Sequence, residues 1–243
     1  MKKKTFAIIQ ARMGSTRLPG KVLRELCGKP MLHHIVQRIK QVASIDTIML
    51  ATSICQEDTA VEVFADSVEI PCFRGSEEDV LARFYEAARL LDGKENDVIL
   101  RLTADNPLVD PVVLQELLTY FEGSSYSYAS TSGYPLGLGG EVFTFCALEE
   151  AYRLAEKPYE REHVTPYMYR DPKQIGRLIS PKDYTHYRFT VDTPEDFTFA
   201  EAVYDALYHG AHDFYLADII EFLDHNPQIQ EINCNVLQKQ LGE

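Results

Sequence analysis

The chain has 243 residues, 45% of them hydrophobic and 25% charged, with a formal net charge of -13. That composition suits a soluble globular protein with a sizeable core, and no apolar run approaches the roughly 20 residues a membrane-spanning helix needs. Residues 1–30 carry eight Lys/Arg and one acid, a local +7 that leaves the remainder at -20, so the acidic body argues against duplex nucleic acid and its basic start suits a small polyanion.

The basic start (Lys2, Lys3, Lys4) precedes only about five apolar residues, too few for a secretory signal, and a cytoplasmic location is expected. Cys27, Cys55, Cys72, Cys146 and Cys234 contain no CxxC pair and are odd in number, which argues against a disulfide framework or a zinc site.

Apolar strand-like runs alternate with amphipathic helices, the pattern of βαβ units in an α/β fold with a mostly parallel sheet. Strands are predicted at Thr5–Ile9, Thr47–Ala51, Glu69–Phe73 and Asp97–Leu102, with helices at Met31–Val42, Asp58–Asp66 and Glu78–Leu91. A helix at Asp110–Phe121 follows. Ser124–Gly140, rich in Gly, Ser and Tyr, reads as an insertion over a site. Beyond it come a strand at Glu141–Phe145, helices at Ala147–Ala155 and Glu160–Tyr169, a strand at Tyr187–Val191 and a helix at Pro194–Tyr208. One domain is expected over 1–243, with a regular α/β part to about 122 and a lid-like subregion at about 123–190.

The loop Gln10–Lys21, QARMGSTRLPGK, follows the first strand and so lies where open α/β sheets bind ligands. Gly14 and Gly20 permit close backbone approach, Ser15 and Thr16 offer hydroxyls, and Arg12, Arg17 and Lys21 supply charge. The loop is no Walker A motif, because five residues separate its glycines and Val22 follows the lysine; there is no G-x-G-x-x-G either. Spacing alone leaves open whether it binds a ligand. Asp105, after Val98-Ile99-Leu100, and Asp192, after Tyr187–Val191, each fall at a predicted strand's carboxyl end, where a carboxylate can help hold magnesium. Asp110 and Thr193, each before a proline, read as helix N-caps. His163 is a plausible donor to a substrate, or else a packed or surface histidine.

The loop IIQARMGSTRLPGKVL resembles the first motif of the spore coat polysaccharide biosynthesis protein F family, a branch of the cytidylyltransferases that make CMP-activated acidic sugars. The likeness continues through ATS (51–53), FRGSEEDVLARF (73–84), LTADNPLVDP (102–111), EHVTPY (162–167) and RFTVDTPED (188–196). It implies a Rossmann-like nucleotide-diphospho-sugar transferase fold with a small lid. The implied reaction takes CTP and an acidic, keto-acid sugar to a CMP-sugar and pyrophosphate, with Mg2+. By position, Arg12, Gly14, Ser15, Arg17 and Lys21 would grip the triphosphate, and Ala51, Ser53, Arg74, Gly75, Ser76 and Asp79 would line base and ribose. Asp105 and Asp192 would hold the metal, while Gly140, Glu141, His163 and Arg188 would face the sugar. Lys21, Arg12, Asp105 and Asp192 are thus the implied catalytic set. The family more often shows Gly-Asp-Cys where this chain has Ala104-Asp105-Asn106. A glycosyltransferase is disfavoured by the absence of any D-x-D, and a binding-only module by the presence of both aspartates. A homodimer is expected only on the frequency of two-fold oligomers.

Overall fold

The computed structural model describes residues 3–238, so Lys2 of the basic start lies outside the described residues. A seven-stranded sheet runs in the order β5-β4-β1-β6-β8-β7-β9. Its strands are β1 (Thr5–Gln10), β4 (Thr47–Ser53), β5 (Cys72–Gly75), β6 (Val98–Thr103), β7 (Tyr128–Ser132), β8 (Glu141–Thr144) and β9 (Ile175–Ile179). Only β8 opposes its neighbours; β5, β4, β1 and β6 pair in parallel, as does β7 with β9.

Strand alternation explains why β1 reads as one apolar run. Ala7 and Ile9 enter the core under α1 (Met31–Ile39), α2 (Thr59–Ser67) and α4 (Pro111–Glu122), whereas Phe6 and Ile8 enter the core under α3 (Val80–Leu90) and α5 (Phe145–Leu154). A strand covered on both faces has no polar side to show. A third cluster joins α7 (Pro194–Leu207) and α8 (Leu216–His225) to the hairpin of β2 (Glu25–Leu26) and β3 (Lys29–Pro30). Cys27 and Gly28 turn this hairpin with φ of 46° and 76°.

Several elements differ from the sequence-based expectation. The stretch 124–140 is not all insertion, since Tyr128–Ser132 forms β7 inside the sheet. Its small polar residues hide the alternation, in which Tyr128 and Ala129 enter opposite cores. Tyr187–Val191 is not a sheet strand: Phe189 N donates to Leu136 O (2.8 Å) and Val191 N to Asp105 O (2.7 Å), which lays the segment across the mouth of the sheet. Glu69–Phe73 starts later, at Cys72, because Glu69 is left-handed (φ 57°) and Pro71 cannot donate. The helix expected over Glu160–Tyr169 is α6, Pro158–His163, which ends at Val164.

One histidine pair, buried at His34 and half-buried at His212, joins α1 to the C-terminal layer. His34 is fully buried; its Nε2–H donates to Leu26 O (2.6 Å), leaving Nδ1 to accept from His212 Nε2 (2.9 Å). Burial lowers the pKa of both rings to about 4. Each therefore folds neutral, and its stabilisation is complete above the unfolded value near 6.5 and shrinks as pH falls toward 4. The full shift at His34 amounts to about 3 kcal/mol. The melting temperature is expected to fall between pH 6.5 and 5, before most carboxylates titrate, and a His34→Gln variant is expected to flatten that slope. Equal slopes in both proteins would contradict this reading.

Candidate active site

The loop after β1 is pinned from below. Ala11 N donates to Ala51 O (3.1 Å), and Met13 N to Asp58 Oδ1 (2.6 Å). Asp58 is buried and also accepts from Ser53 Oγ (2.5 Å) and Ser53 N (3.2 Å). Ser15 N and Gly20 N both turn back to Met13 O, and Gly20 adopts φ 68°, where a side chain is disfavoured. The loop thereby delivers Lys21, only 8% exposed, to the carboxyl ends of the central strands.

Lys21 Nζ meets three oxygens: Asp105 Oδ2 at 3.1 Å, Asp192 Oδ1 at 2.9 Å and Val191 O at 2.7 Å. Both aspartates are oriented from behind. Asp105 Oδ1 accepts from Thr103 Oγ1 (2.5 Å), which accepts from Asn106 Nδ2 (2.9 Å). Asp192 Oδ2 accepts from Arg188 Nη2 (2.8 Å) and lies 3.2 Å from Arg17. Burial would raise the Asp192 pKa, but the charges of Lys21, Arg17 and Arg188 outweigh it and hold the carboxyl below the usual range. Lys21, Arg17, Asp105 and Asp192 line a cavity of about 220 Å³ with Ser15 and Thr16.

Beside it lies a larger cavity of about 770 Å³, and Gln10 and Arg12 line both. Arg12 is exposed and makes no hydrogen bond or ion pair among the described residues, so its charge stands open at the junction. Asp79 caps α3 through Ala82 N (2.9 Å) and grips Arg161 of α6 through Nε (2.8 Å) and Nη2 (2.6 Å). His163 lies on the same wall. It precedes Val164, a β-branched residue at φ 71°, a conformation that costs on the order of 1–3 kcal/mol. That turn sends Thr165 Oγ1 to Glu141 (2.9 Å), which also accepts from Tyr128 Oη (2.5 Å) and Arg101.

Other sequence-predicted residues frame these cavities without lining either. Ala51 and Ser53 are buried beneath the loop. Arg74 is spent on Ser53 O (3.1 Å), Cys55 O (2.8 Å) and Glu62 (2.9 Å). Ser76 Oγ accepts from Asp79 N (3.0 Å). A Cβ at Gly14 would lie 2.9 Å from Glu57, one at Gly75 2.8 Å from Phe73, and one at Gly140 3.1–3.3 Å from Leu102, Leu114 and Leu100, so Gly140 faces the core. Arg188 stands behind Asp192, with Nε and Nη2 on Asp196 (2.8 and 3.0 Å).

Gln10, Arg83, Arg101 and Arg161, all on the larger cavity, have no site role in the sequence analysis. Arg101 interrupts the apolar run Val98–Leu102, and Arg83 falls among Val80, Phe84 and Ala87. A charge breaking an apolar pattern was the available signal. Arg83 is 1% exposed with Nε and Nη2 unpartnered among the described residues, and burial, followed by the Arg12 charge, lowers its pKa to about 10.

Asp196 anchors the rear of the site: fully buried, it accepts from Arg188, Asp192 N (2.9 Å), Thr193 N (3.1 Å) and Asn233 Nδ2 (3.0 Å). Removing one partner of a buried ion pair strands the other, so Asp196→Ala is expected to lower stability by about 3–5 kcal/mol in urea unfolding. A loss below about 1 kcal/mol would show that Arg188 finds other compensation.

The cytidylyltransferase family profile matches residues 6–220. The spore coat polysaccharide biosynthesis protein SpsF of Bacillus subtilis is 37% identical over 90% of this chain and 94% of its own. The 8-amino-3,8-dideoxy-manno-octulosonate cytidylyltransferase of Shewanella frigidimarina is 28% identical over 76% of this chain and 71% of its own. Among solved structures, a cytidylyltransferase from Leptospira borgpetersenii superposes with a TM-score of 0.88 at 28% identity, covering 98% of this chain and 100% of that one. The family match, the relative and the superposition each cover most of the chain, and the chain belongs to the cytidylyltransferase family.

Proposed function

We propose that this cytidylyltransferase transfers CMP from CTP to a hydroxyl of a keto-acid sugar, releasing pyrophosphate, with Mg2+ held at Asp105 and Asp192. One observation carries the reading: two carboxylates from segments 87 residues apart converge on one cation beside a free arginine, at the junction of two cavities. The oxygen donors around Lys21 Nζ suit a hard cation, since magnesium takes one or two carboxylates and completes its shell with water and substrate phosphates. No group of three or more His, Cys, Asp or Glu able to hold a metal occurs among the described residues, so Asp105 and Asp192 would be the protein's carboxylates on the ion. When bound, the ion supplies charge neutralisation at the α-phosphate.

The chain's own residues do the rest. Arg17, Lys21 and the hydroxyls of Ser15 and Thr16 surround a cavity of about 220 Å³ suited to phosphates. In this reading Arg12, which lines both cavities, bridges phosphates and sugar, while Arg101, Arg161 and His163 supply donors in the larger cavity. The sugar hydroxyl oxygen bonds to the α-phosphorus and gives up its proton to solvent, as the bond from that phosphorus to the pyrophosphate oxygen breaks. Such a displacement needs positioning and charge stabilisation more than covalent help, and fixed cations on the leaving pyrophosphate give it. The named relative's octulosonate substrate supports an acidic sugar. Arg188 and Gly140 act from behind the cavity walls.

The test is pyrophosphate release from CTP and magnesium across a panel of keto-acid sugars. Arg12→Ala is expected to lower kcat/KM on the order of 10²-fold, as loss of one oxyanion donor does, with an unchanged melting temperature because Arg12 has no partner to strand. No release with any nucleotide and sugar, alongside tight nucleotide binding, would overturn the enzyme reading in favour of a binding protein.

A further inference from the structure

Lys21 occupies the point between the two carboxylates that a metal would need. Its ammonium has three N–H groups and three acceptors at 2.7–3.1 Å, so no donor is left over. An ammonium nitrogen and a divalent ion cannot share that point. We propose that Lys21 is an internal counter-ion that closes the Asp105–Asp192 pair to divalent cations until a triphosphate draws it away, so that cation is taken up with or after nucleotide and not before it. The inference rests on the nucleotidyl-transfer reading of the site and adds its order of assembly.

Charge counting supports that order. Three carboxylates, Asp105, Asp192 and Asp196, face three cations, Lys21, Arg17 and Arg188, so the cluster is locally neutral. A dication arriving first gains no net attraction and has to evict an ammonium whose side chain is 9% exposed. A triphosphate arriving first finds Lys21 and Arg17 both on the wall of the smaller cavity. If both turn to phosphate, Asp105, Asp192 and Asp196 remain with Arg188 alone. The excess is two negative charges, which one divalent cation balances. The carboxylates keep their orientation meanwhile, because Thr103 holds Asp105 and Arg188 holds Asp192.

Manganese serves as the probe, titrated into nucleotide-free protein with bound ion read by electron paramagnetic resonance. Wild-type protein is expected to bind weakly, and Lys21→Met at least about tenfold more tightly, a difference of 1.4 kcal/mol; adding Asp105→Asn to that variant is expected to abolish the gain. The melting temperature of Lys21→Met should rise with manganese while that of the wild type stays put. Manganese binding by wild-type protein as tight as that of Lys21→Met overturns the proposal. Should Lys21→Met not fold, tight saturable binding by the wild type overturns it alone, and weak binding that becomes tight in a complex with CTP, beyond what CTP alone binds, supports it. CTP binding in the presence of a chelator separates the two readings. Its absence, with and without divalent ion, sinks the nucleotidyl-transfer reading as well, whereas CTP binding alongside tight manganese binding by free wild-type protein sinks only the order.

Discussion

One ammonium group fixes the geometry of the site. Lys21 reaches residues 84 and 171 positions away, and through them ties the end of the central strand β6 to the start of helix α7. Burying a charge is costly unless it is fully paired, and this one is paired on every N–H. The three acceptors are in turn held by Thr103, Arg188 and the Val191–Asp105 backbone bond, so the contact cannot loosen at one end alone. A cluster of this kind adds little net stability, since desolvation offsets most of the attraction. It does specify where two carboxylates stand.

The fold makes that contact possible through strand adjacency. β1 and β6 are parallel neighbours with Gln10 opposite Thr103, so the loop after one and the aspartate after the other emerge side by side. The segment 187–191, excluded from the sheet, brings Asp192 to the same edge. Asp58, which accepts from Met13 and Ser53, keeps the loop from sagging into the space a ligand needs. With seven positive charges in excess over residues 1–30 and twenty negative over the rest, the acidic body leaves the loop as the place where a polyanion is drawn.

Most of the first half was legible from sequence because its signals are local. The strands at 5, 47 and 98 announce themselves by apolar runs, and Asp110 and Thr193 announce helix starts by their prolines; the structure shows both as side-chain caps. That Asp105 and Asp192 both end strand-like runs was readable, but their meeting at Lys21 was not, since nothing local sets the distance between segments 87 residues apart. β7 was lost because YASTS pairs small polar residues with a buried position on each face. Ser53, Arg74 and Arg188 received site roles only from the family resemblance. Their hydrogen bonds point into the scaffold, a direction that pattern alone does not carry.

The most direct test is a crystal structure with a non-hydrolysable cytidine triphosphate and magnesium. The account predicts Lys21 Nζ within hydrogen-bond reach of a phosphate oxygen and Asp105 and Asp192 at about 2.0–2.1 Å from one ion. A nucleotide bound with Lys21 still on both aspartates, and no ion between them, would contradict it.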